Sequence, residues 1–319
     1  MTSKDFKTIR TTLIAPSKLS YLEFRKELKP KYVRVWLDIA IGWTALLSSL
    51  ALCALAVKNG TPTEDIFVIL VGTFCMGYWV AYLQLFVHEA AHFMIAEDKW
   101  LNDVLSDLFL GSIIGQSVAA YRPIHFDHHR YIGTSADPER SYFDPLTPKF
   151  LLKSMLGIRT LQVILYRRSL KSSDFSIRPK LWNRARVAGF FFHGAIISVL
   201  FFTGSLGCIF AWFAGVFLVF PFLAGLRQLL EHRSFSADPK TDFTKINHGE
   251  TERIFYPGLF SNTFGAAGFN RHLIHHWEPQ ISYTQLPAVE HFLMSTQCGD
   301  HLSSVQTTYG RTFACLLKL

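Results

Sequence analysis

Eight of the thirteen histidines in this 319-residue chain lie in three short groups, which read HEAAH, HFDHH and HLIHH. Their members are His88 and His92; His125, His128 and His129; and His272, His275 and His276. Residues three and four positions apart share one face of a helix, so each group could present two or three imidazole nitrogens to a common point. This spacing is typical of metal sites, and we expect all eight side chains to bind metal.

The number of histidines indicates which metal they bind. HEAAH matches the HExxH pattern of zinc peptidases, in which two histidines bind zinc and Glu89 would be the general base. A catalytic zinc ion takes three protein ligands, however, so eight histidines are too many for one such ion and enough for two metals. Imidazole suits iron, and a pair of iron ions suits oxygen activation better than hydrolysis. An intramembrane zinc peptidase and a non-catalytic metal-binding protein remain the alternatives from other classes.

Long apolar stretches must position these histidines. Half of the residues are hydrophobic and only 18% are charged, against roughly 25% in a soluble domain, which indicates a membrane protein. Residues 187–226 carry no formal charge and have Gly204, Ser205 and Gly207 near their middle, which predicts a helical hairpin. The predicted spans are residues 35–57, 66–87, 187–204 and 207–226.

We therefore predict an all-α integral membrane fold with four transmembrane helices and a cytoplasmic helical cap that carries the histidine groups. The predicted domains are an N-terminal segment 1–34, a membrane domain 35–295 and a tail 296–319. If all four segments cross, 31 of the 32 Lys and Arg lie on one side, and only Lys58 lies opposite. The positive-inside rule then makes the side with the histidines and both termini cytoplasmic.

Shorter features qualify this topology. Residues 108–121 are uncharged but too few to span, so we predict an interfacial or re-entrant segment. Residues 150–166 mix Lys and Arg with aliphatic residues, which is typical of an amphipathic helix at the membrane surface. Pro221 is expected to kink the last span. The five cysteines form no CxxC pattern, so neither a disulfide framework nor a thiolate metal site is predicted.

In their order and with a wide gap before the third, the three groups resemble the histidine boxes of the membrane fatty acid desaturase superfamily. HHRYIGTSADPE (128–139) is similar to the family's sequence after box two, and NRHLIHHWEP with YTQLP (270–287) to its box-three region. The resemblance runs from about residue 35 to 295. It implies two iron ions, dioxygen as cosubstrate, and desaturation of a fatty-acyl or related lipid chain. Hydroxylation or ketolation of a lipid, carotenoid or alkane is the alternative within the same chemistry.

The resemblance also implies a partner. The sequence has no HPGG haem-binding segment, no flavin fingerprint and no ferredoxin cysteine spacing. Electrons are therefore expected from a separate donor protein of ferredoxin or cytochrome b5 type. The other expected partners are the lipid substrate and the membrane, and no nucleic-acid partner is expected.

A ninth histidine is implied just after the fourth span. His232, in RQLLEHRS, occupies that position, and His248 is its competitor because it lies nearer to box three. Gln228 matches a position where stearoyl-CoA desaturases carry an asparagine that holds a metal-bound water.

Groups beside the ligands are expected to orient them, because a metal-bound imidazole usually donates its other N–H to a carboxylate or carbonyl. The adjacent candidates are Glu89, Asp127, Glu231 and Asn270. We expect structural roles for the remaining histidines His193, His291 and His301.

Overall fold

The computed structural model describes residues 1–57, 60–169 and 183–317. Lys58, on which part of the predicted orientation depends, lies outside the described residues. The strands in the described part of the chain are β1 (Ile254–Phe255) and β2 (Gln306–Thr307), which pair in parallel. The α-helices there are α1 (Ser3–Ile9), α2 (Tyr21–Lys26), α3 (Tyr32–Val57), α4 (Pro62–Ala91), α5 (Lys99–Phe109), α6 (Val118–Tyr131), α7 (Pro148–Met155), α8 (Ile158–Ser169), α9 (Arg184–Phe202), α10 (Leu206–Ala214), α11 (Phe220–His232), α12 (Leu259–Phe264), α13 (His272–Trp277), α14 (Leu286–Met294), α15 (Gly299–Ser304) and α16 (Tyr309–Leu316).

Four helical segments among the described residues are long and apolar enough to cross a membrane, which confirms the predicted number. They are Tyr32–Val57, Pro62–Ala91, Arg184–Phe202 and Leu206–His232. The second and fourth continue past the predicted ends, because HEAA and RQLLEH are made of helix-forming residues with no glycine or proline to stop them. His88 and His232 therefore lie inside the same helices that could span the membrane.

The fourth segment contains a wider turn ahead of its proline. Residues Gly215–Val219 form a π-helical turn between α10 and α11, and Pro221 follows two residues later. Proline donates no backbone hydrogen bond, and a π turn is one way for a helix to accommodate that loss. The same turn packs closely on α4, where a Cβ atom on Gly77 would lie 2.4 Å from Val219 Cβ. Small residues thus allow these two apolar helices to touch.

The chain divides into two compact units. One, here the terminal unit, comprises Met1–Val35, Phe126–Pro145 and Arg227–Lys318; the other, the span unit, comprises Trp36–His125 and Leu146–Leu226. The terminal unit carries most of the second and all of the third histidine group. The span unit carries the first group and His125.

The core of the terminal unit joins the N-terminal helices to box three. Phe6 of α1 stacks on Trp277 of α13, with ring centroids 4.5 Å apart. Beside them the buried Glu278 carboxylate accepts hydrogen bonds from Arg10 at 3.0 Å and from Arg25 at 2.9 Å. The first residues of the chain therefore support the short helix that presents three histidines.

Two surface predictions for the span unit have different outcomes. Helical residues Lys99–Ile113 and Val118–Tyr131 form a pair bent by 89°, which is the geometry either of a broken span or of the re-entrant segment predicted for 108–121. The single helix predicted over 150–166 is wrong, because α7 and α8 are separate. Gly157 between them has φ +72°, a left-handed conformation that ends a helix and that glycine adopts at little cost.

Candidate metal centres

Four histidines of the terminal unit converge in its interior. Helix α6 carries one, the C-terminus of α11 another, and α13 two. The ligand nitrogens of the four all lie within 4.8 Å of one another, and the rings are at most 3% exposed. The members of this four-histidine group are His128, His232, His272 and His276.

The Nε2 atoms of this group face one another. His272 Nε2 lies 3.0 Å from His232 Nε2 and 3.1 Å from His276 Nε2. Two nitrogens that bind one metal at about 2.1 Å and at right angles would themselves lie about 3 Å apart. The donor set therefore fits a metal ion of the imidazole-binding type.

Oxygen atoms lie beside the opposite nitrogens of three of these rings. His128 Nδ1 lies 2.9 and 3.0 Å from the two carboxylate oxygens of Asp137. His276 Nδ1 lies 3.0 Å from a Glu252 oxygen, and His232 Nδ1 lies 3.2 Å from the Thr251 carbonyl oxygen. An Nδ1–H that donates to oxygen leaves the Nε2 lone pair free to bind metal, and it also fixes the ring.

Asp137 is itself held in place. The Tyr142 hydroxyl donates a 2.6 Å hydrogen bond to it, and the backbone N–H of Glu139 donates another of 2.8 Å. The chain returns to His128 through Gly133, whose φ is +74° and whose Cβ, if present, would lie 2.5 Å from the Glu250 backbone nitrogen. Only glycine fits this turn, which explains how a residue nine positions along the chain reaches the ring.

Burial and neighbouring charges together set the protonation of the group. Burial lowers the pKa of His272 and of His276 well below the ordinary histidine value, and neighbouring imidazoles add to both shifts. At His128 burial also lowers the pKa, but the charges of Asp137 and Glu139 outweigh burial and raise the pKa to about 9. Burial raises the pKa of Glu252 well above the ordinary carboxyl value, and nearby Glu250 adds to that shift. Neutral imidazoles with free lone pairs are the form that binds metal.

The consecutive histidines diverge. His275 does not join its neighbour His276; its Nε2 lies 3.1 Å from Nε2 of His129, the neighbour of His128. Successive residues on a helix point about 100° apart, so each histidine doublet supplies one ring to the four-histidine group and one to a separate pair. HLIHH therefore presents two of its three histidines, His272 and His276, to a common point, in agreement with the expected two or three.

The span unit brings together the other three predicted ligands. His88 and His92 lie at the end of α4, and His125 lies on α6. His92 Nε2 is 2.9 Å from His125 Nε2, and the rings of His88 and His125 have centroids 4.4 Å apart. His88 and His125 are buried, whereas His92 is partly exposed. The Tyr121 hydroxyl lies 3.3 Å from His125 Nδ1, and a Glu89 carboxylate oxygen lies 4.0 Å from His88 Nδ1.

Two of the carboxylates predicted to orient the ligands occupy different surroundings. Glu231 is buried, accepts a 3.3 Å hydrogen bond from the Tyr309 hydroxyl, and has its other oxygen 3.9 Å from His272 Nε2. Asp127 is 29% exposed and faces Arg130 at 3.9 Å.

The two amide side chains that were expected near the ligands, Gln228 and Asn270, contact residues other than the histidines. The Gln228 side chain accepts a 3.0 Å hydrogen bond from the Ser141 backbone and donates one of 2.6 Å to Glu139. The Asn270 side chain donates a 3.0 Å hydrogen bond to Asn262. Gln228 thus binds the segment that follows box two in the chain. Asn270 links the residues just before α13 to α12.

Between the two candidates for the ninth position, the four-histidine group contains His232 and not His248. His248 accepts a 3.3 Å hydrogen bond from the Ser234 backbone, and its Nδ1 lies 2.9 Å from the Gly249 oxygen.

The histidine expected to be structural in the hairpin, His193, is a link between helices: its Nε2 lies 3.0 Å from the Ile113 carbonyl oxygen, and Trp212 donates to its Nδ1.

Sequence reasoning missed Asp137, Thr251 and Glu252. It sought orienting groups only next to the histidines in the chain. Gly133 offered one signal, since a glycine four residues after a ligand group indicates a turn that can return the chain. Residues Thr251 and Glu252 belong to a segment without a regular pattern, and no sequence signal indicated that they approach the rings.

Comparison with known families agrees with this geometry. The family model described as fatty acid desaturase matches residues 64–309. The chain belongs to the fatty acid desaturase family. None of the curated proteins compared matches the chain. Membership indicates a di-iron oxidoreductase of the desaturase or hydroxylase type with a lipid or acyl substrate. Together with the four candidate spans, it also indicates an integral membrane protein, and it disfavours the zinc peptidase alternative.

Proposed function

We propose that this desaturase-family chain uses dioxygen and a di-iron centre to introduce a double bond into a fatty-acyl or related lipid chain. The observation that supports this most strongly is the four-histidine group. It is buried, its Nε2 atoms converge, and an oxygen atom lies beside Nδ1 of three of its rings. A single surface-exposed metal would need none of this arrangement.

The nine histidines would hold two iron ions. One iron would take the four-histidine group. The family's histidine boxes imply a second iron, to which His88, His92 and His125 of the span unit would supply ligands.

Bound iron would supply the oxidising power that breaks an unactivated C–H bond, which no side chain can supply. Each double bond would consume one dioxygen, two electrons and two protons, and two hydrogens from the alkyl chain would complete two water molecules. The protein's own residues would orient the ligand rings. Asp137 holds the His128 ring, and Glu252 and the Thr251 carbonyl oxygen stand beside the rings of His276 and His232.

Electrons would come from a separate protein of ferredoxin or cytochrome b5 type. The formal net charge of +8 and the uneven distribution of basic residues support an acidic partner. They also support the proposal that the histidine side of the membrane, with both chain termini, is cytoplasmic.

Expression in a host with a simple lipid profile, followed by mass spectrometry of its lipids, tests the reaction. Desaturation predicts a product two mass units lighter than the substrate, and hydroxylation predicts one sixteen units heavier. The matched variant His276→Ala should produce neither. Metal analysis of the purified protein should give two irons per chain, and one zinc without iron would refute the di-iron proposal.

A further inference from the structure

Two of the helices that carry histidines end at those histidines. Helix α4 ends at Ala91, beside His88 and His92, and α11 ends at His232. The last carbonyl groups of a helix have no donor within the helix. What donates to them therefore determines how firmly the histidines at that end are held.

At the end of α4 one such donor is the Arg122 side chain. Its Nε donates a 2.8 Å hydrogen bond to the Ala91 carbonyl, and one Nη donates a 3.2 Å bond to the Ala90 carbonyl. The same guanidinium pairs with the Asp103 carboxylate. Arg122 lies on α6, three residues before His125. It therefore joins the helix end that bears two histidines to the helix that bears the third.

The chain leaves α4 in an unusual conformation that Arg122 also contacts. Phe93 has φ +62°, a left-handed conformation that costs free energy in a residue other than glycine. The Arg122 guanidinium lies 3.8 Å from the centroid of the Phe93 ring, a cation–π distance. Asn102 completes this end by donating a 2.9 Å hydrogen bond to the Ala90 carbonyl.

The terminal unit repeats this arrangement with Arg253. One Nη of this buried residue donates to the Leu230 carbonyl at 3.0 Å and to the Glu231 carbonyl at 3.2 Å, and the other donates to the Arg233 carbonyl. Arg253 directly follows Thr251 and Glu252, whose oxygen atoms stand beside two ligand rings. Arg253 thus holds the end of α11, and the two residues before it place oxygen atoms beside the rings of His232 and His276.

We propose that Arg122 and Arg253 are positioning residues, each of which sets the metal affinity of the histidine group at its own helix end. A positive charge at a helix C-terminus is favourable. A planar guanidinium can bond several carbonyl groups at once in a fixed geometry, which the single ammonium of lysine cannot do. The proposal that these arginines affect catalysis rests on the proposed function. Their effect on metal binding does not depend on it.

The test uses the full chain in detergent, loaded with Fe²⁺ and analysed for iron per chain. Arg122→Lys and Arg253→Lys keep the positive charge but lose the planar guanidinium. Each should weaken the binding of one iron by about ten- to a hundredfold and leave the binding of the other iron unchanged. The matched control is Arg130→Gln, on the same helix as Arg122 but with a 70% exposed side chain; it should keep both irons.

Combination with a ligand variant identifies which iron is lost. Arg122→Lys added to His92→Ala should cost no further iron, because both act on one group, whereas Arg122→Lys added to His276→Ala should cost the second iron. If the two arginines were merely structural, their substitution would lower the thermal stability without selective loss of one iron. Full iron content at unchanged affinity in both lysine variants would overturn the proposal, and so would loss of both irons from either single variant.

A metal-free measurement separates this proposal from the proposed function. Hydrogen exchange of the apoprotein should quicken at the amides of His92 to Met94, which bond back to the last turn of α4, in Arg122→Gln but not in Arg130→Gln. If the wild-type chain binds no iron, a Co²⁺ titration replaces iron. Weaker Co²⁺ binding in Arg122→Lys would then support the positioning role, and unchanged binding would overturn it.

Discussion

The four-histidine group of the terminal unit and the three-histidine group of the span unit are built differently. In the first, all rings are buried, and the Asp137 carboxylate oxygens lie 2.9 and 3.0 Å from Nδ1 of His128. In the second, His92 is partly exposed, and the oxygen beside His125 belongs to the Tyr121 hydroxyl. An anionic acceptor raises the basicity of the metal-binding nitrogen more than a neutral hydroxyl does. We therefore expect the four-histidine group to bind metal more tightly.

The largest expected effect is loss of a ligand from the buried group. His272→Ala should reduce lipid product to background, because its Nε2 lies 3.0 Å from that of His232 and 3.1 Å from that of His276. Mass spectrometry of host lipids measures this. His248→Ala is the matched control and should keep product, since that ring lies outside the group. Loss of product in His248→Ala, together with retained product in His272→Ala, would contradict the assignment of His272 as a ligand.

Removal of an anionic acceptor should come next. Asp137→Asn keeps the shape but removes the charge beside His128, so metal affinity of the four-histidine group should fall about ten- to a hundredfold. Titration of the apoprotein with Co²⁺ in detergent measures the affinity. If binding to the span-unit group weakened instead, the contrast between the two groups would be wrong.

The buried rings also predict a pH dependence for the metal-free protein. The folded pKa of His272 and of His276 is lowered, so their contribution to stability is present above about pH 6.5 and is lost as the pH falls toward their folded pKa. Glu252 acts in the opposite sense, because its raised pKa stabilises the fold below about pH 4.5 and this stability is lost as the pH rises.

Between about pH 5 and 6.5 the two histidines outweigh the one carboxyl. The free energy of unfolding should therefore decrease as the pH falls through this range. Thermal unfolding of the apoprotein at several pH values measures this. His276→Asn should flatten the dependence, whereas His92→Asn, at the partly exposed position, should leave it nearly unchanged.

The smallest effect is expected from the neutral acceptor. Tyr121→Phe removes one hydroxyl that lies 3.3 Å from His125 Nδ1, and a neutral hydrogen bond contributes only about 0.5–1.5 kcal/mol. Co²⁺ affinity of the span-unit group should fall a few-fold. A loss as large as that of Asp137→Asn would remove the distinction between the two acceptors.

The sequence by itself determined the number of spans, the family and the histidines that gather. These follow from local properties: the length of uncharged segments, and helical spacing that puts residues three and four apart on one face. Sequence also indicated His232, because the resemblance placed a ligand just after the fourth span. Helix ends were harder to place, since HEAAH continues a helix that polarity alone would end at residue 87.

Only the tertiary structure decided how the ligands divide and what orients them. His128 and His129 are adjacent in the chain, yet their rings diverge because successive side chains on a helix point about 100° apart. Asp137 reaches His128 through a glycine turn, and Glu252 and Arg253 arrive from a segment without a periodic pattern. Such contacts join residues far apart in sequence, and they depend on the path of the folded chain rather than on the local residue pattern.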